Sequence, residues 1–163
     1  MGRGKEEPHK RSTRESTLPT AGLDYCFPAL KDYDPLMVPV TTEIYSGAVE
    51  AILVDAKGVA DFPVKVVSQA MDAWGLPRAG VFTDQEAAAQ ALASAVKAAR
   101  RAELVITSGP RKDSASEGRI ENMVGMVEGL LRTIVLSVRR HYGVTLDPAQ
   151  PILGWAVRPT VGS

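Results

Sequence analysis

The segment from Glu117 to Tyr142 limits the fold of this chain more than any other. Ile120, Val124, Val127, Leu131, Ile134, Val138 and Tyr142 recur every three or four residues, which sets them along one side of a long helix. An apolar stripe of that length needs a sheet or another helix to cover it. Gly143 follows directly and suits the left-handed turn that closes a helix. With 163 residues, 45% of them hydrophobic and 23% charged, the chain can bury such a stripe within one soluble domain.

Upstream the apolar spacing is shorter. Leu23 to Phe27 reads as a strand ended by Pro28, and Leu36 to Thr42 and Ala48 to Val54 flank the turn residues Tyr45-Ser46-Gly47, predicting an antiparallel hairpin. At Phe62 the period becomes helical. Phe62, Val66, Val67, Ala70, Met71 and Trp74 share a face, and Gly75-Leu76-Pro77 ends that helix. Ala79 to Thr83 is a brief strand, Glu86 to Arg100 an alanine-rich helix, and Glu103 to Ile106 a fifth strand. Thr107 to Ser116 is crowded with helix breakers and reads as a loop. Ile152 to Arg158 looks like the start of a further helix stopped at Pro159. The expected architecture is α/β: a mixed five-stranded sheet, an antiparallel hairpin plus parallel strands, flanked by helices. That is the RNase H-like order. Residues 1–20 are polar and aperiodic and are expected to form a disordered leader, with the core over 21–158 and a tail over 159–163.

Charge and cysteine content exclude several classes. Nineteen basic and nineteen acidic residues cancel, so any nucleic-acid-binding surface has to be local. Cys26 is the only cysteine, which rules out an internal disulfide and a cysteine-based zinc site in this chain. His9 and His141 are too far apart for a metal motif. No apolar run approaches the roughly 20 residues of a membrane span, and the polar start does not resemble a signal peptide. A nuclear or cytoplasmic protein without a membrane partner is expected, not a secreted one.

Three carboxylates stand out. Asp24 interrupts a short apolar strand, where a charge needs a metal, a partner or a solvent-facing side. Asp84 lies between a strand and a helix, where it is equally a helix-start acid, and Thr83 and Glu86 stand at capping-box spacing around it. Glu121 sits one turn inside the long helix between Gly118 and Gly125, and two glycines on an ordinary solvated face would lower helix propensity for nothing. If the first and fourth strands are neighbours, Asp24 and Asp84 approach each other and the last helix brings Glu121 across. Three hard oxygen ligands suit Mg²⁺ or Mn²⁺ and poorly suit zinc. Two such ions about 3.5–4 Å apart serve the cutting and joining of phosphodiesters.

The segments Leu23-Asp24-Tyr25-Cys26-Phe27, Val81-Phe82-Thr83-Asp84-Gln85-Glu86 and Ser114-Ala115-Ser116-Glu117-Gly118-Arg119-Ile120-Glu121 resemble the integrase core of long-terminal-repeat retrotransposons, especially copia-like ones. The 36 residues between Asp84 and Glu121, positions 85–120, are close to that family's spacing. The resemblance spans roughly Gly22 to Arg158. It implies that Asp24, Asp84 and Glu121 form a DDE triad binding two divalent cations for 3′-end processing and strand transfer. It also implies DNA partners, both element ends and target, and a homo-oligomer. Two positions depart from the family: Glu117 replaces an asparagine, and Asn122 replaces a basic residue after the catalytic glutamate. An upstream His/Cys zinc module, usual in the family, has no ligands here.

Arg111 and Lys112 in the loop, with Arg119 on the helix, are the expected DNA contacts. Arg132, Arg139 and Arg140 are expected to form a solvated face, Trp74 and Trp155 to lie in the core, and Cys26 to be a small buried residue. Two other readings stay open. One is a non-catalytic integrase remnant that binds DNA or self-associates, and the other is an RNase H-type hydrolase.

Overall fold

The computed structural model describes residues 18–30, 34–101, 103–108, 114–147 and 151–157. Within them β1 (Thr20–Cys26), β2 (Val38–Glu43), β3 (Val49–Ala51), β4 (Arg78–Thr83) and β5 (Glu103–Ser108) form one sheet in the order β3-β2-β1-β4-β5. The β1–β2 and β2–β3 pairs are antiparallel, and the β1–β4 and β4–β5 pairs are parallel. The helices are α1 (Asp61–Ala73), α2 (Ala87–Ala99), α3 (Ser114–Tyr142) and α4 (Pro151–Val157). This is the RNase H-like mixed sheet expected from the element order.

Strand alternation divides the core between the two sheet faces. Ala21, Leu23 and Tyr25 of β1 join Val67, Met71, Leu92 and Val96 under α1 and α2. Cys26 joins Val38, Val40, Val127 and Leu131 under α3 and α4. By parity, Gly22 and Asp24 share the α3 face with Cys26. Gly22 has a packing reason to be glycine, since a Cβ there would overlap Cγ1 and Cδ1 of Ile120. Its bare backbone lets α3 lie close on β1. On the opposite face Arg100, at the end of α2, donates to Asp72 Oδ1 at 2.6 Å and to the Leu76 carbonyl at 2.7 Å, fastening the ends of α1 and α2 together.

Several boundaries moved. β1 begins at Thr20, inside the stretch expected to be leader, and leaves Phe27 outside. β3 keeps three residues instead of seven. Pro39 of β2 has no N–H to offer, so beyond Ala51 the hairpin continues only through Ile52 N–H donating to the Pro39 carbonyl and the Met37–Val54 bridge. α3 starts at Ser114, three residues early. Gly75 and Gly143 do close α1 and α3, at φ 69° and 66°.

Three residues expected in the core are exposed instead. Phe62 lies in the first turn of α1, where its neighbour Pro63 turns inward. Tyr142 keeps the phase of the α3 stripe but lies past Val135, the last of its buried positions. Trp155 is 69% exposed because α4 packs through Leu153, Ala156 and Val157, which turns the indole outward. Trp74 is half-buried against the α1–α2 core, as expected. Among the described residues no helix is long and apolar enough to cross a membrane.

Candidate active site

β1 and β4 pair from Thr20↔Gly80 to Leu23↔Thr83. One step further along both strands come Asp24 and Asp84, at the end of two neighbouring strands whose usual spacing is about 4.8 Å. They therefore sit side by side where the two central parallel strands end. Each carboxylate is steadied by the next N–H: Tyr25 N–H donates to Asp24 Oδ1 at 2.7 Å, and Gln85 N–H to Asp84 Oδ1 at 2.5 Å. Above them α3 rests Ile120 on Gly22, which carries the adjacent Glu121 to the same end of β1.

The electrostatics of Asp24 record that convergence. Burial, first, pushes its half-buried carboxyl above the ordinary value, and the charges of Asp84, Glu86 and Glu121 push the same way, against the Tyr25 N–H. Asp84 and Glu121, the other two acids expected from the sequence, thus both lie within electrostatic reach of Asp24. Glu86 joins them as a fourth. As placed, no group of three His, Cys, Asp or Glu side chains among the described residues converges tightly enough to hold one metal ion. The donor chemistry nevertheless fits a hard divalent cation, since the groups are carboxylates and their mutual repulsion is what such an ion relieves. A Cβ at Gly118 or Gly125 would meet nothing within 4 Å, so the helix surface beside Glu121 is open.

The expected capping box does not form. Glu86 occupies the N-cap position of α2 without a side-chain cap bond, and Thr83 Oγ1, buried at the end of β4, has no partner among the described residues. Glu86 instead pairs with Lys57, a full charge that outcompetes a backbone N–H. Sequence spacing did not reveal this pair, because it joins positions 29 residues apart. Lys57 Nζ also lies 4.3 Å from the ring centroid of Phe27 and 6.0 Å from that of Tyr25.

Of the expected DNA contacts, Arg111 and Lys112 lie outside the described residues. Arg119 donates through Nη1 to the Ile44 carbonyl at 2.6 Å, fastening α3 to the β2–β3 turn. There Glu43 Oε1 accepts from Tyr45 N–H at 3.2 Å and Oε2 from Ser46 N–H at 2.5 Å. Burial raises Glu43, but the hydrogen bonds from Ser46 and Tyr45, with Arg119, more than offset it and leave the carboxyl below its usual value. A shallow pocket of ≈ 210 Å³ opens at this turn, lined in part by Tyr45, Arg119 and Met123. It lies at the end of β1 away from Asp24, since Glu43 pairs with Ala21. Arg132, Arg139 and Arg140 are exposed, as expected for a solvated face. Cys26 is buried, with its thiol pushed up to about 12 by burial and then by Glu128 and Asp24, so it fits the role of a small core residue.

No protein-family model matches this sequence, and no curated protein matches it. Solved structures do. The fold matches a chain of the simian T-cell lymphotropic virus intasome in complex with PP2A regulatory subunit B56 gamma, with a TM-score of 0.59 and 19% identity over 86% of this chain. This chain spans about half of that one, 48%. It also matches the HTLV-2 integrase catalytic core domain in complex with magnesium in its trimeric form, with a TM-score of 0.54 and 17% identity over 86% of this chain and 84% of that one. The catalytic core domain of BIV integrase gives a TM-score of 0.51 and 15% identity over 85% and 80%. The fold of this chain is therefore the RNase H-like fold of retroviral integrase catalytic cores.

Proposed function

We propose that this domain is the core of an integrase-type polynucleotidyl transferase, of copia-like long-terminal-repeat descent, that joins element DNA to target DNA. The observation that supports the reading is the side-by-side placement of Asp24 and Asp84 past the last β1–β4 pair, with Glu121 close enough to raise the Asp24 carboxyl. The fold is shared with the HTLV-2 core, which was solved in complex with magnesium. Asp24 and Asp84, oriented by the N–H groups of Tyr25 and Gln85, would hold two Mg²⁺ or Mn²⁺ ions, with Glu121 closing the set from α3. Such ions, when bound, activate an attacking oxygen and stabilise the leaving oxygen of a phosphodiester. The carboxylates would position the ions, and the contact of Ile120 with Gly22 sets how close α3 lies to them. Arg111, Lys112 and the exposed Arg119 are the proposed backbone contacts. A homo-oligomer is proposed because the HTLV-2 core occurs in dimeric and trimeric forms.

The test is strand transfer. Folded protein with Mn²⁺ and a donor-end duplex should yield joined product, and Asp84→Asn should abolish it. Folded protein that yields none in Mg²⁺ or Mn²⁺ overturns the catalytic reading. A second reading, a non-catalytic remnant on the same fold, is favoured by two observations: among the described residues no three carboxylates converge on a point, and Glu117 adds charge at the start of α3. That reading predicts DNA binding or self-association without product.

A further inference from the structure

We propose that Lys57 and Phe27 form a binding element for an unpaired DNA end beside the carboxylates, with Lys57 meeting a phosphate and Phe27 stacking a base. The inference rests on DNA being the substrate, as proposed above, and goes beyond it by naming residues outside the triad and the strand form they recognise.

Three separate stretches meet at the strand end that carries Asp24. Phe27 follows β1 directly. Residues 55–58 follow β3 and turn at Gly58, φ 123°, a backbone state that glycine adopts without strain. Glu86 begins α2. Lys57 links all three, its Nζ 4.3 Å from the Phe27 ring centroid and its ammonium paired with the Glu86 carboxylate.

Stability gives this arrangement little reason to exist. The two charged side chains are 38% and 30% exposed, and ion pairs so open to water contribute little to folding. Phe27, 40% exposed, is a large apolar ring left at the surface beside a cation. A positive group next to an exposed aromatic face is the pairing that single-stranded nucleic acid engages, backbone on the charge and base on the ring. Lysine suits an exchangeable contact, since its compact ammonium on a flexible stem can leave one oxyanion for another. In the free protein the Glu86 carboxylate takes the place of the phosphate. The pair also keeps Lys57 off stray anions until a strand arrives with a base for Phe27.

The test measures binding alone, in EDTA, so that failure of the catalytic reading leaves it intact. A fluorescent single-stranded oligonucleotide and an abasic oligonucleotide of equal length are titrated by anisotropy across a salt series. Lys57→Gln should weaken both about tenfold and lower the slope of log Kd against log salt by about one, while Lys57→Arg stays within about twofold of wild type. Phe27→Ala should weaken the base-bearing strand and leave the abasic strand unchanged. Glu86→Gln, which frees Lys57, should tighten both. Lys57→Gln that binds like wild type with an unchanged salt slope overturns the phosphate contact. Equal losses on both strands for Phe27→Ala overturn the stacking contact.

Discussion

The two ends of β1 treat a carboxylate in opposite ways. At one end Glu43, paired with Ala21 in the strand register, receives two backbone N–H groups and the nearby charge of Arg119, and its carboxyl lies below the ordinary value. At the other, Asp24 has one N–H bond and three acids for neighbours, and its carboxyl lies above it. The first end is arranged to hold the fold together. The second keeps like charges in proximity, which folding alone does not favour. Such an end is what the proposed cation site requires, since a bound cation would relieve the repulsion.

Gly22 lies between the two ends and sets the height of α3 over both. Gly22→Val should have the largest effect, because its side chain would displace Ile120. Overpacking of this kind costs about 1–3 kcal/mol, and thermal denaturation should show a midpoint lower by several degrees. Gly80→Ala is the control, since its Cβ would meet Thr20 Oγ1 at an ordinary 3.4 Å, and it should leave the midpoint nearly unchanged. Equal effects from the two would mean that α3 does not rest on Gly22.

Glu43→Gln should come next, losing about 1–2 kcal/mol at neutral pH as charge-assisted bonds become neutral ones. Its carboxyl is lowered on folding, so its stabilisation is present above the ordinary value of 4.5 and disappears as pH falls through the folded value. Urea unfolding at pH 7 and pH 3 checks this, and the difference between wild type and variant should shrink at the lower pH. Asp24→Asn should give the smallest change, and of opposite sign. A raised carboxyl stabilises below its ordinary value of 3.8, and that contribution is lost as pH rises through the folded value. The variant, measured in EDTA at pH 7, should therefore melt above wild type. A lower midpoint would mean that Asp24 is satisfied at neutral pH, like Glu43, and the contrast between the ends would fail.

Much of this layout was legible in the chain. Periodicity fixed the order of elements, because apolar stripes at two and at 3.6 residues report which side of each element is buried. Asp24 and Glu121 were visible as anomalies, one a charge in an apolar strand and the other a glutamate between two glycines. What stayed hidden depends on tertiary contact. Glu86 read as a capping residue because capping is local, whereas its partner Lys57 lies across the sheet. Arg119 read as a free cation because nothing in its neighbourhood announces the Ile44 carbonyl. Phe62 and Trp155 have the right chemistry for a core, but a turn of each helix faces outward where neighbouring side chains already fill the contact. The hairpin was overextended because the donor that Pro39 lacks matters only once strands pair.

Thermal midpoints across a Mn²⁺ titration decide whether Asp24, Asp84 and Glu121 hold a divalent cation together, as proposed. Ligand that binds only the folded state adds about 2.7 kcal/mol at a hundred times its Kd. The wild-type midpoint should climb with Mn²⁺, and those of Asp24→Asn and Asp84→Asn should stay flat from a folded baseline. A wild-type midpoint unmoved by Mn²⁺ and Mg²⁺, or variants that climb as far as wild type, would contradict the proposal.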